Sequence, residues 1–219
     1  MKPTNSELRK QARMTLEGHW GGAVVATLIF FIVGSVLPNI SLLFPLSEAG
    51  QVSWNLVWSF LLIPLSWGFC IYFLSLLRDQ NPQVGSIFGG YKDFVRVFTT
   101  MLLMSVYIAL WLLLLIVPGI IKSLSYAMTP YILRDNPNVG AVEAIHKSRL
   151  MMDGSKMKLF LLYLSFIGWG ILCVLTCGIG FLLLVPYVQT SLAAFYEDLR
   201  KEEAAQVEET VVESVQPAE

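Results

Sequence analysis

Few residues in this chain are spaced for chemistry. Cys173 and Cys177 stand four apart and Cys70 is the third cysteine; thiolates so placed could hold a soft metal or cycle between thiol and disulfide. A pair four apart near a helix end does not reach disulfide geometry easily, and the apolar neighbours Leu172 and Val174 point to buried, inert thiols. His19 and His146 could ligate metal or move protons near neutral pH. Neither has a Cys, Asp or Glu at the spacing of a zinc motif, so both read as interfacial polar residues. Gly18-x-x-x-Gly22 and Gly168-x-Gly170 could cradle a phosphate in a soluble protein, but beside long apolar runs they let helices approach closely. Lys122 is the one ionised group within such a run and reads as a helix end that snorkels to water. No catalytic, cofactor-binding or metal-ligating residue is assigned, and no cofactor is expected.

The elements that carry these residues follow from where charge is missing. Of 219 residues 55% are apolar and 14% charged, and the mean hydropathy is +0.63, whereas a soluble domain carries about 25% charge. That excludes a soluble globular fold and general disorder, and three cysteines are too few for a disulfide scaffold. A net charge of -1 argues against a nucleic-acid partner. Gly18–Ser47, Gln51–Leu77 and Leu159–Tyr196 contain no Asp, Glu, Lys or Arg, and Val97–Leu133 contains only Lys122. A spanning helix needs ~20 apolar residues, so the first run supplies Trp20–Leu37, ending at Pro38-Asn39, and the second one span with Pro64 inside it. The third divides at Pro118-Gly119 and the fourth at residues 176–180, where proline and paired glycines favour a turn. The fold class is therefore an all-α polytopic membrane protein of about six spans. Fourteen of the fifteen basic residues fall on one side of these spans, which the positive-inside rule assigns to the cytoplasm together with both termini. No cleaved signal peptide is expected, since no small-x-small site follows the first apolar run.

The cytoplasmic segments carry pattern of their own. Thr4-Asn5-Ser6-Glu7 reads as a capping box before a helix whose Leu8, Ala12 and Leu16 share one face, and Val139–Met152 repeats the amphipathic pattern with Val142, Ile145 and Met152. Both read as interfacial helices on the inner leaflet. Arg9, Lys10, Arg13, Lys147, Arg149, Lys156 and Lys158 lie on or beside them and are the candidate contacts for anionic lipid or a partner protein. Self-comparison adds a repeat. Asn81-Pro82-Gln83-Val84-Gly85 matches Asn136-Pro137-Asn138-Val139-Gly140, each after an Arg-Asp pair, and Ala12–Gly18 matches Ser148–Gly154 in residue type. Pro64 precedes Arg78, and Pro186 precedes Arg200, by the same interval. The simplest account is three parallel hairpin units, about 4–80, 81–135 and 136–200, within one membrane domain over 1–200, with Pro64, Pro118 and Pro186 as kink positions. Residues 201–219 form an acidic tail that continues the last helix briefly and then frays into disorder, or docks a cytoplasmic partner.

Taken in order, Leu8-x-x-x-Ala12-Arg13-x-x-Leu16-x-Gly18-x-Trp20, Phe88-x-Gly90-Tyr91, Arg134-Asp135-Asn136-Pro137 leading to Ala144-Ile145-x-x-Ser148, Leu164–Trp169, Pro186-Tyr187 and Ala194-Phe195-Tyr196 resemble the bacterial integral membrane family labelled domain of unknown function 975. The resemblance covers about 5–199. It implies a bacterial inner-membrane protein of about six helices with no assigned activity. The expected role is non-enzymatic, organising lipids or partner proteins at the cytoplasmic face; the alternative is a transporter or permease for an apolar or lipid-like substrate. The charge partition makes a direct prediction. A reporter fused after Glu219 reads out in the cytoplasm, and a cysteine placed near Glu48 is labelled from the periplasm; periplasmic readout at Glu219 contradicts the topology.

Overall fold

The computed structural model describes residues 4–44 and 46–215. Every regular element among them is helical. Helix α1 (Asn5–Leu16) opens on the expected capping box: the Thr4 hydroxyl accepts the Glu7 N–H, and the Glu7 carboxylate accepts the Thr4 N–H. That same backbone bond holds the Glu7 carboxyl below the usual carboxylate range. Leu8, Ala12 and Leu16 are fully buried, Leu8 against the cluster that holds Phe195 and Leu199, Leu16 against the one that holds Tyr72 and Phe73. The apolar face of α1 is therefore spent on the protein's own core, where an interfacial helix would turn it to lipid.

Helix α2 (Trp20–Phe31) continues through a π turn at Ile32–Val36 into the short α3 (Leu37–Asn39). Helix α4 (Glu48–Leu77) then returns antiparallel to it: the Trp54 indole donates to the Pro38 carbonyl at 2.9 Å near the turn, and Phe30 stacks on Phe69 at 4.4 Å further along. At 30 residues α4 is about 45 Å long, more than the ~30 Å hydrocarbon thickness. Its half from Pro64 onward is largely buried, unlike the half before it.

Beyond α4 the chain reverses through Asp79 and Asn81, both at positive φ, and a 3₁₀ segment, Val84–Tyr91, runs back along the helix. The fit depends on missing side chains. A Cβ on Gly68 would collide with the Ile87 carbonyl, and one on Gly90 with the Pro64 carbonyl. The Tyr91 hydroxyl donates to the Leu61 carbonyl at 2.6 Å, beside the turn of helix that Pro64, having no N–H, leaves one bond short.

Helix α5 (Phe94–Leu114) meets α6 (Ile116–Tyr126) at Leu115, the single extended residue between them. The break thus falls three residues before the expected Pro118-Gly119. Pro118 lies in the first turn of α6, where its absent N–H costs no helical bond, so it starts a helix and does not kink one. Gly119 permits the close return, its Cβ position being 2.9 Å from the Leu112 Cα. The Lys122 ammonium sits 4.8 Å from the Trp111 ring on the facing helix.

Helix α7 (Thr129–Asp135) and α8 (Ala141–Met151) follow. The Ser148 hydroxyl donates to the Ser125 carbonyl and accepts the Met128 N–H, which pins α8 to the junction of α6 and α7. This turns Ala144, Ile145 and Ser148 inward. Ile145 and Met152 are buried as expected, but Val142 is 63% exposed, because the hydrogen-bonding serine sets the rotation of the helix.

Helix α9 (Lys156–Leu175) and α10 (Phe181–Val215) are joined at 176–180, as the glycines require; Cys177 and Gly178 take positive φ, and Gly180 approaches Cys173. They run antiparallel, Phe166 meeting Tyr187 edge-on at 5.3 Å. The segment expected to fray is helical through Val215, as Glu, Ala and Gln favour once a helix is already nucleated; residues 216–219 lie outside the described residues. Helices α4 and α10 run parallel in one register, since Cys70 meets Gln189 and Arg78 meets Glu197, both pairs 119 residues apart. By length and composition four helical stretches among the described residues can cross a membrane, Trp20–Asn39, Glu48–Leu77, Phe94–Leu114 and Lys156–Leu175.

The glycine contacts make a graded prediction. Gly68→Ala and Gly90→Ala each force the 3₁₀ segment away from α4 and cost about 1–3 kcal/mol. Gly89→Ala, with no atom near its Cβ position, stays within about 0.5 kcal/mol. Thermal unfolding in detergent checks the difference, and equal losses at all three positions contradict the packing.

Candidate functional site

The most concentrated polar chemistry lies where α4 and α7 end against the middle of α10. Arg78, just past α4, donates Nη1 and Nη2 to the two Asp135 oxygens at 2.8 and 2.7 Å and Nε to Glu197 at 2.7 Å. The Tyr196 hydroxyl donates to Asp135 at 2.8 Å, and Arg200 donates to Glu197 at 2.8 Å while standing 3.5 Å from Asp135. Two cations and two carboxylates thus form one neutral node. The side chains of Arg78, Asp135 and Glu197 are 21, 16 and 10% exposed, so their charges are largely out of water and depend on one another. A two-pronged guanidinium suits a carboxylate better than a lysine ammonium does, which explains arginine at 78. The Asp135 carboxylate raises the affinity of Arg78 for its proton, against the opposing effect of burial. Burial pushes the Asp135 carboxyl up, but hydrogen bonds from Arg78 and Tyr196 and the charges of Arg78 and Arg200 outweigh it and hold the group below the usual range.

Around the node the chain ties further ends together. Arg96 at the start of α5 donates to the carbonyls of Leu133, Asn136 and Pro137, closing the C-terminus of α7. A small cavity of about 270 Å³ opens beside the node, its polar wall made by Asp135, Asn136, Lys147, Tyr196, Arg200 and Glu203. A larger one, about 460 Å³, lies among α4, α6, α9 and α10. Cys70, Tyr131, Tyr163 and Gln189 face it, and the Cys70 thiol donates weakly to the Gln189 amide oxygen at 3.6 Å. Neither Pro64, Pro118 nor Pro186 lines it.

The candidate contacts read from sequence separate into two groups. Lys158 is enclosed: its ammonium meets Asp198 at 2.8 Å with both side chains under 20% exposed, and its carbonyl accepts from Asn5, so it fastens α9 to α10 and α1. Lys147 pairs with Glu143 at 3.3 Å and Lys156 with Asp153 at 3.2 Å, both on the surface, where such pairs are worth little. Lys10 and Arg149 are exposed, and Arg13 approaches Glu17 at 3.6 Å with both side chains in the open. Arg9 differs, its Nε being buried without a hydrogen-bond partner. The thiols of Cys70, Cys173 and Cys177 are unpaired, Cys173 being buried. Among the described residues no group of three His, Cys, Asp or Glu is placed to hold a metal ion.

Sequence reasoning missed the node, because it counted Arg78 and Arg200 only toward orientation. The signal was the Arg-Asp pair that closes two of the apolar runs, followed by Glu197 and Arg200 at the end of the last. The chain belongs to the family described as protein of unknown function (DUF975), which matches it over residues 1–122 and 112–203. No curated protein and no solved structure matches it.

The node makes stability acid-sensitive in a defined window. The native Asp135 carboxyl gives up its proton below the 3.8 of the free side chain, so its stabilising contribution is complete above that pH and is lost as pH falls below it. Melting curves taken from neutral pH down through this window should fall for the parent protein and flatten for Asp135→Asn. Equal slopes in the two proteins contradict the assignment.

Proposed function

Starting from membership of a family without an assigned activity, we propose that this is a six-span, non-enzymatic protein of the bacterial cytoplasmic membrane that gathers anionic lipid at its cytoplasmic face. The two crossings beyond the four self-evident ones are α6 with α7, which folds back on α5, and the first half of α10, which folds back on α9. A repeat of three hairpins accounts for the common register of α4 and α10. It also accounts for the left-handed glycine after both α1 and α8, at Gly18 and Gly154, the positions that the internal match pairs. In this arrangement both termini are cytoplasmic.

The observation that carries the lipid reading is the division of cations. Arg78, Arg96, Arg200 and Lys158 are held by inward-facing carboxylates and carbonyls, whereas Lys10, Arg13, Lys147 and Arg149 point outward on α1 and α8. On α8 they flank Val142 and Leu150, which are 63 and 59% exposed. Cations beside exposed aliphatic side chains suit a surface that is apolar beneath and anionic at the headgroups. The 460 Å³ cavity with its thiol, amide and phenol groups favours the second reading, a permease for an apolar or lipid-like substrate. Neutralising Lys147, Arg149 and Lys156 together to Gln, with α1 intact to set topology, tests the first. Each cation contributes about 1 kcal/mol near an anionic leaflet, so retention of anionic lipid by the purified variant at low salt should drop at least tenfold. Unchanged retention shows that these charges orient the chain and bind nothing.

A further inference from the structure

A further cavity lies on the flank of α9 and α10, away from the node. It is a groove of about 490 Å³, open along one side, whose walls include Trp20, Trp169, Leu172, Leu183 and Leu184. That volume is in the range of pockets that enclose a small ligand, about 300–1,000 Å³. The walls run from Trp169 within α9 to Thr176 just past it, and from Gly180 just before α10 to Tyr187 within it, about 10 Å of length on each side. One charged side chain lines it, Arg13, and no carboxylate does.

Arg9 lies one turn earlier on the same face of α1, and its Nε is buried without a hydrogen-bond partner. Arg13 lines the groove together with Tyr187. Glu17 stands 3.6 Å from the Arg13 Nε with both side chains more than 60% exposed, too long for the charge-assisted bonds of about 2.7–2.9 Å that would satisfy a guanidinium. One exposed cation, Arg13, whose nearest carboxylate leaves it without a short ion pair, therefore lines an apolar slot that also takes in Tyr187 and the turn at 176–180.

We propose that this groove is a specific site for one anionic phospholipid, its phosphate on Arg13 and an acyl chain laid against Trp169, Leu172, Leu183 and Leu184. The inference rests on the membrane and lipid reading above and names the site at which it acts. The open side admits an acyl chain laterally from the bilayer. The absence of a carboxylate leaves nothing in the groove to pair with a cationic headgroup, so lipids of net negative charge are preferred over zwitterionic ones.

Two tryptophans in the walls supply the readout. Phosphatidylglycerol with brominated acyl chains quenches indole fluorescence only on contact, and brominated phosphatidylcholine is the comparison, both added to the purified full chain in detergent. The parent protein should be quenched at lower concentration by phosphatidylglycerol. Arg13→Gln, on an exposed side chain, should reduce that preference about fivefold, the effect of one cation near a phosphate. Leu183→Phe, which fills the slot, should weaken both lipids. The Lys147, Arg149 and Lys156 triple variant should leave the quenching unchanged. An unaltered preference in Arg13→Gln overturns the site, whether or not Leu183→Phe folds. If only the triple variant abolishes the preference, the groove assignment falls and the general lipid reading stands; if neither does, both fall. Displacement of the brominated lipid by glycerol 3-phosphate at equal concentration identifies a soluble phosphate ester as the occupant and overturns the lipid assignment.

Discussion

A guanidinium taken out of water must be met by carboxylates on every side that water has left. Arg78 meets two of them, Asp135 on α7 and Glu197 on α10, and Arg200 and Tyr196 complete their coordination. The helices that supply these groups lie far apart in the sequence, yet the bonds fix the ends of α4 and α7 against the middle of α10. Sliding α10 by one residue along α4 would move Glu197 about 1.5 Å and leave two partly buried charges unmatched. Breaking such a pair is far more costly than never having built it, so the node defines alignment more than it adds net stability.

The remaining packing follows from that alignment. With α4 and α10 parallel, Cys70 falls opposite Gln189 and the buried half of α4 offers one side to the 3₁₀ segment. Gly68 and Gly90 let that segment come to backbone distance. The other side of α10 is covered by α1, whose buried stripe of Leu8, Ala12 and Leu16 is held in place by Asn5 on the Lys158 carbonyl and Lys158 on Asp198. Because α1 spends its apolar face this way, Arg13 is carried to the groove along α9 and α10. Structural ion pairs and outward cations are thus two outcomes of one arrangement.

Much of this was legible in the sequence. Absence of charge located the apolar runs, the Thr4 capping box started α1 where it was expected, and the glycines at 176–180 turned the chain there. What escaped reading was decided by partners distant in the chain. Pro118-Gly119 was taken for the site of the turn, but the helix breaks three residues earlier, at Leu115, and Gly119 then lets the return pass close to Leu112. Val142 belonged to the apolar pattern of α8 until Ser148 found the Ser125 carbonyl and rotated the helix. Arg78 and Lys158 counted toward orientation like every other cation, since a sequence shows that a charge lies beside a span without showing which carboxylate it will meet. The groove was hidden for the same reason: its apolar residues belong to two helices, and its cation to a third.

The node is tested most directly by a double-mutant cycle between Arg78 and Glu197, using Arg78→Ala, Glu197→Ala and the pair, with unfolding free energies measured in detergent at neutral pH. If the two side chains share one buried network across α4 and α10, each single variant strands a charge, and the pair recovers part of the loss. The coupling energy is then about 1–3 kcal/mol. Losses that add to within about 0.5 kcal/mol would show that the helix ends are aligned by something other than this contact, and would contradict the account.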